Sequence, residues 1–178
     1  AQTPCPNAVE DGDFEAGNSG FTSGLASNCA CASNSFCVNT NFNLKCAGWP
    51  NFGNHTSGGE NFLLIDGSDV AATNVWSTTV PVSPGDAYTF SFWVASVYTT
   101  NQQVFDLGMV VNGVIVKQFT VSQVKPNWTQ YTFSGVCPPN LRSIPIAIRQ
   151  MSAGGFRDFG LDDIYFACCP CKADYTTT

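Results

Sequence analysis

From about residue 60 onward, the sequence consists of short runs in which apolar and polar residues alternate, and this pattern restricts the fold most. Residues 87–97 show it best, because Tyr88, Phe90, Phe92 and Val94 fall on one side of an extended chain. A period of two is typical of an antiparallel strand with one buried face. The sequence therefore predicts a half-buried strand here.

The same pattern recurs to the end of the chain, with no long helical period. The predicted strands cover residues 61–65, 74–82, 87–97, 104–111, 114–121, 128–133, 144–148 and 159–166. Asn112-Gly113 predicts a two-residue hairpin turn, because both positions tolerate positive φ. Eight short strands at this spacing indicate an all-β fold, an antiparallel β-sandwich or jelly roll. We expect one domain over residues 1–178.

Cysteine is unusually frequent, with nine in 178 residues. Such density points to disulfides and an oxidising compartment, and an odd number leaves one thiol free or bonded to another chain. A zinc site is disfavoured, since the C-x-x-C at 168–171 lacks a second pair. We expect a disulfide-stapled loop insertion at 16–59 and a cysteine-rich tail at 167–178. The disulfide candidates are Cys5, Cys29, Cys31, Cys37, Cys46, Cys137, Cys168, Cys169 and Cys171.

The charge balance restricts the partners. The net charge is −6 with only seven Lys and Arg residues, so the basic stripe that binds nucleic acid is missing, and anionic lipid is disfavoured for the same reason. No apolar run is long enough to span a membrane. A start at Ala1 is expected after removal of a signal peptide. We therefore expect a secreted or cell-surface protein.

Two short motifs lie near the two ends of the chain, DGDFE at 11–15 and FGLDDIYF at 159–166. Between them, in order, lie NHTSGGENF (54–62), VWS (75–77), PGDAYTFSFW (84–93) and WTQY (128–131). Together, over about residues 7–166, these motifs resemble the galactose-binding-like jelly rolls. Many carbohydrate-binding modules and adhesive domains of secreted bacterial proteins have this fold. The resemblance implies a module that binds carbohydrate or another extracellular surface.

The resemblance also implies a structural calcium ion where the first and last strands lie side by side. Its ligands would be Asp13, Glu15 and Asp162, with carbonyls of residues 56–59. Calcium accepts such a mixture of carboxylate and carbonyl oxygens. The alternative is that Glu15 and Asp162 only cap strand ends.

Candidate ligand-binding residues follow from the usual chemistry of sugar recognition, an aromatic ring with planar polar side chains. Trp93, Asp106 and Arg149 fall on the polar faces of their strands and would form one platform if those strands are neighbours. The alternative is that Trp93 packs under the cysteine-rich insertion, since large aromatics are usually buried. Tyr98 and Trp49 are second candidates in loops.

Catalysis is not expected. His55 is the only histidine, and the sequence contains no G-x-S-x-G nucleophile motif. Two classes of function stay open. One is a non-catalytic binding module. The other is a self-assembling structural subunit of an extracellular filament or surface layer, joined by disulfides and by strand or tail exchange.

Overall fold

The computed structural model describes residues 5–50, 54–55, 59–97, 104–121, 128–153 and 157–168. These residues form ten strands and one short 3-10 helix, Phe42–Leu44. The strands are β1 (Ala26–Ser27), β2 (Ser35–Asn39), β3 (Phe62–Asp66), β4 (Thr73–Pro81), β5 (Ala87–Ser96), β6 (Phe105–Val111), β7 (Val114–Val121), β8 (Thr129–Val136), β9 (Ser143–Gln150) and β10 (Phe159–Cys168).

The strands form two sheets packed as a sandwich. A six-stranded sheet has the order β1-β2-β3-β10-β5-β8, and a four-stranded sheet has the order β4-β9-β6-β7. Every pair is antiparallel except β1 with β2. The expected all-β sandwich is confirmed.

The N-terminal segment runs beside β10, as the resemblance implies. The backbone N–H of Ala8 donates to the carbonyl of Phe166 at 2.7 Å, and the N–H of Ile164 donates to the carbonyl of Gly12 at 2.8 Å. The two end motifs are therefore neighbours along β10.

Alternating apolar residues of the two sheets fill the space between them. Phe90 and Phe92 of β5 and Ile146 and Ile148 of β9 are all buried in this main core. Each strand predicted from residue 61 onward is present with bounds shifted by a few residues at most. The hairpin turn is also confirmed, with positive φ at Asn112 (51°) and Gly113 (79°).

The cysteine-rich insertion is more ordered than expected. It contributes β1 and β2 and then folds over the outer face of the six-stranded sheet, where outer means pointing away from the other sheet. Its buried residues Phe42, Cys46 and Trp49 form a second small core with strand residues of that face. Gly160 permits this packing, since a Cβ there would lie 2.8 Å from the Phe42 ring.

Three disulfides are described: Cys29–Cys37, Cys31–Cys46 and Cys137–Cys168. The first two staple the insertion, and the third links the loop after β8 to the end of β10. Cys5 is also disulfide-bonded, whereas Cys169 and Cys171 lie outside the described residues. Within the described ranges there is no helix with the length and apolar character needed to cross a membrane.

Candidate functional site

The outer faces of the two sheets differ in what they offer a ligand. The insertion and its second core cover the part of the six-stranded sheet formed by Phe62, Leu64, Ala95 and Val97. The outer face of the four-stranded sheet instead carries mostly polar, solvent-accessible side chains. The four-stranded sheet is therefore the better candidate for a binding surface.

Trp93 does not join Asp106 and Arg149. Trp93 lies on β5, which pairs with β10 and β8, while Asp106 on β6 and Arg149 on β9 belong to the other sheet. The premise that the three strands are neighbours is wrong, because strand order does not follow chain order. Instead, the His55 ring stacks on Trp93 with centroids 3.7 Å apart. His55 belongs to the insertion, so Trp93 contacts the insertion, as the alternative expected.

Asp106 and Arg149 do share one face. In register across all four strands, Asn74 pairs with Arg149, Arg149 with Gly108, and Gly108 with Gln118. The next pair on this face is Asp106 with Thr120. We call Asn74, Arg149, Gln118, Asp106 and Thr120 the polar row.

Hydrogen bonds hold the members of the polar row in fixed positions. The Nε–H of Arg149 donates to Asn74 Oδ1 at 2.8 Å. Thr120 Oγ1 donates to Asp106 Oδ1 at 2.6 Å, and Gln118 Nε2 donates to Asp106 Oδ2 at 3.2 Å. Within the described ranges, the terminal N–H groups of Arg149 have no protein partner. They are available as a planar set of donors for hydroxyl or carboxylate oxygens.

Between the polar side chains of the row, the surface is recessed and lined by apolar atoms. Gly108 has no side chain there, and a Cβ would lie 2.8 Å from the sulfur of Met151 and 3.6 Å from Ile115. The thioether and the Ile115 methyl therefore form an apolar bed between polar neighbours. Such a combination can contact both the C–H surface and the hydroxyls of a sugar.

The two loop candidates do not add to this surface. Trp49 is only 7% exposed and packs edge-on against Phe42 in the second core. It therefore lacks the open ring that a sugar platform needs. Tyr98 lies outside the described residues.

Two of the three expected calcium ligands, Glu15 and Asp162, contact residues 55, 60 and 61. Glu15 Oε1 accepts the backbone N–H groups of Glu60 and Asn61 at 2.8 and 2.9 Å. The fully buried Asp162 accepts the N–H of His55 at 3.0 Å from the other side, and Asp13 accepts the N–H of Glu15 at 3.3 Å. All three carboxylates accept backbone N–H groups, and residues 56–58, whose carbonyls the resemblance implies as further ligands, lie outside the described residues. Calcium therefore stays a prediction.

The described part of the chain contains one group of metal-ligand side chains with all ligand atoms within 4.8 Å of one another, formed by Cys31, Cys46 and Asp66. The two sulfurs are bonded to each other and so do not act as thiolate ligands. Asp13, Glu15 and Asp162, which are all described, do not form such a group.

Sequence reasoning missed a buried charge under the insertion. Lys45 is 4% exposed, and its ammonium donates to the carbonyls of Asn28 and Ala30 and to Ser35 Oγ at 2.8, 3.0 and 2.6 Å. Burial lowers the pKa of Lys45, and the carboxylates of Asp66 and Asp158 oppose that change. A lysine directly before Cys46 was the only signal in the sequence, and it does not reveal burial.

Comparison with known proteins gives fold neighbours but no sequence relatives. No family model matches the sequence, and no curated protein matches it. One similar structure is the enzymatically active domain of tailspike protein 4 of bacteriophage CBA120, with a TM-score of 0.61, 13% identity and coverage of 92% of this chain. This chain spans only 21% of that tailspike chain.

Two further similar structures match along almost their whole length. The carbohydrate-binding module TmCBM61, in complex with β-1,4-galactotriose, has a TM-score of 0.58 and 17% identity, with coverage of 90% of this chain and 97% of the module. A Stig cyclase from Fischerella sp. TAU has a TM-score of 0.64 and 11% identity, with coverage of 90% and 95%. At such identities the likeness concerns the fold and not the activity. The chain therefore has the jelly-roll β-sandwich fold found in carbohydrate-binding modules, as its ordered motifs predicted.

Proposed function

We propose that this chain is a non-catalytic, extracellular module that binds carbohydrate on the outer face of its four-stranded sheet. The polar row carries this proposal, because it combines fixed planar polar groups with an apolar bed on an open sheet face. The fold shared with a galactotriose-binding module supports it. The three described disulfides suit an oxidising, extracellular setting.

Each part of the row has a separate task. Arg149 is positioned by Asn74 and donates to sugar oxygens, and Asp106 accepts from sugar hydroxyls while Thr120 holds its orientation. The bed of Met151 and Ile115 contacts the C–H surface of the sugar. Since the groups are held before binding, little conformational entropy is lost when the ligand docks.

The test is calorimetric titration with β-1,4-galactotriose first and then with a panel of neutral and acidic oligosaccharides. The chain offers a matched control pair, since Gln118 on β7 and Gln130 on β8 are both exposed glutamines on edge strands of different sheets. Gln118→Ala and Arg149→Ala should each weaken binding by about tenfold or more. Gln130→Ala should leave binding unchanged. Equal losses from Gln118→Ala and Gln130→Ala would place the ligand elsewhere.

One of the proteins with a similar fold is a cyclase, so catalysis by this chain has to be considered separately. We propose no reaction, because the polar row contains no histidine, lysine or cysteine, and we assign the hydrogen bond of its Thr120 hydroxyl to holding the Asp106 carboxylate in place. The pair formed by His55 Nδ1 and Asp163 Oδ2 at 2.6 Å lies beside Trp93 on the other sheet and forms part of the packing of the insertion.

A further inference from the structure

The two cysteines of the Cys31–Cys46 disulfide differ in solvent exposure. Cys31 is exposed, whereas Cys46 is 3% exposed within the second core. An incoming thiolate would therefore reach the sulfur of Cys31, and the sulfur of Cys46 would leave. Thiol–disulfide exchange proceeds by such an attack on one sulfur and is accelerated when the leaving thiolate is stabilised.

A buried carboxyl group faces the leaving sulfur. Asp66 Oδ2 lies 3.7 Å from Cys46 Sγ, and Asp66 is 6% exposed. Asp158, which is also buried, accepts the backbone N–H of Gly67 at 2.8 Å. Burial raises the pKa of Asp66, because desolvation disfavours the charged form of a carboxyl group. The neutral form of Asp66, which can donate a proton, is therefore favoured next to Cys46.

The groups around Asp66 act on its pKa in both directions. Burial raises the pKa of Asp66, while Lys45, Asp158 and the Ala32 backbone lower it and Asp69 raises it further. Lys45 directs its three N–H donors to the carbonyls of Asn28 and Ala30 and to Ser35 Oγ. Among the described residues its ammonium therefore makes no direct ion pair that would hold the Asp66 carboxyl group in the charged form.

We propose that Cys31–Cys46 is an exchange-active disulfide, in which an external thiolate attacks Cys31 and Asp66 protonates the departing Cys46. The new bond joins the external sulfur to Cys31 Sγ, and the Sγ–Sγ bond to Cys46 breaks. The electron pair of that bond goes to Cys46, which takes the proton of Asp66 and leaves a carboxylate. The partner is a thiol-bearing reductant. A second thiol of a dithiol then releases Cys31, so that the dithiol is oxidised and the bridge gains two electrons.

The neighbouring bridge Cys29–Cys37 is a built-in control. It also joins an exposed cysteine to a buried one, since Cys29 is exposed and Cys37 is 2% exposed. The contact described for Cys37 Sγ is the carbonyl of Val38 at 3.7 Å, which cannot give a proton. Both bridges therefore lie in the insertion and join an exposed cysteine to a buried one. They differ in that only the buried sulfur of Cys46 has a carboxyl group, that of Asp66, beside it.

The experiment treats the native, oxidised chain with limiting dithiothreitol, blocks free thiols at timed intervals with N-ethylmaleimide and maps them by peptide mass spectrometry. Cys31 and Cys46 should become labelled about tenfold or more faster than Cys29 and Cys37. Asp66→Asn should remove most of this difference without changing the rate at Cys29–Cys37. Equal rates in the wild-type chain, or a difference that survives Asp66→Asn, would overturn the proposal.

The pH dependence gives a second test that needs no variant. The ratio of the two reduction rates cancels the thiolate fraction of the reductant, which is the same for both bridges. This ratio should fall as pH rises, because Asp66, whose pKa is raised by burial, loses its proton and its carboxylate then repels the leaving thiolate. A ratio that stays constant or rises with pH would contradict the role of Asp66.

Discussion

Lys45 shows at the scale of one residue how the insertion is held in place. Its ammonium bonds two carbonyls, of Asn28 and Ala30, on either side of Cys29. A buried ammonium without partners would be very unfavourable. The insertion folds around this charge because its backbone supplies the acceptors that water would otherwise provide.

Replacing Lys45 with Met should destabilise the chain by about 3 kcal/mol, because the buried Ser35 and two part-buried carbonyls lose their donor and the carboxyl groups of Asp66 and Asp158 lose a nearby positive charge. Urea unfolding of the oxidised protein measures this loss. Lys117→Met is the matched control, since Lys117 bonds one carbonyl, of Thr132, at an exposed position. That change should stay within about 0.5 kcal/mol. Similar losses of unfolding free energy for the two variants would contradict this role of Lys45.

Gly160 shows at the scale of elements how the insertion meets the six-stranded sheet. A Cβ at Gly160 would meet the rings of Phe42 at 2.8 Å and Phe62 at 3.1 Å. Gly160→Ala should therefore cost about 1–3 kcal/mol by overpacking and expose the insertion to proteolysis. Gly48→Ala, at a position with open space around it, should do neither. Unchanged unfolding of Gly160→Ala would mean that the second core does not depend on this close approach.

The N-terminal segment, β10 and the loop at 54–60 make a second test at this scale. If calcium binds where Glu15 and Asp162 flank that loop, the thermal midpoint should fall by several degrees when a chelator removes the ion. Adding back calcium should restore the midpoint, and Glu15→Gln should reduce the response. A thermal midpoint that is the same with calcium and with chelator would contradict the calcium prediction.

The strands of the sandwich could be predicted, because a strand with one buried face has apolar residues at every second position of the sequence. β5 is an example, with Tyr88, Phe90 and Phe92 all in the main core. β1 and β2 were not predicted, because β1 has only two residues and β2 shows a single short alternation, Phe36 and Val38, within a segment rich in Asn, Ser and Cys. Trp93 was placed with the wrong partners, since the period of two gives the face of a strand but not its neighbours.

At the scale of the whole molecule, the two outer faces of the sandwich differ. The six-stranded sheet supports the insertion, and the four-stranded sheet presents the polar row, which is the proposed carbohydrate-binding surface. The structural-subunit hypothesis stays a prediction. Disulfide-linked polymers of the native protein together with no glycan binding would favour it over the module.

Glycan titration of the native protein tests the central claim most directly, with wild type, Arg149→Ala, Gln118→Ala and Gln130→Ala compared on the same oligosaccharides. The account predicts that wild type and Gln130→Ala bind the same sugar with equal affinity and that the other two variants lose about tenfold or more. A wild-type protein that binds no oligosaccharide, or whose binding is lost on Gln130→Ala and kept on Arg149→Ala, would contradict it.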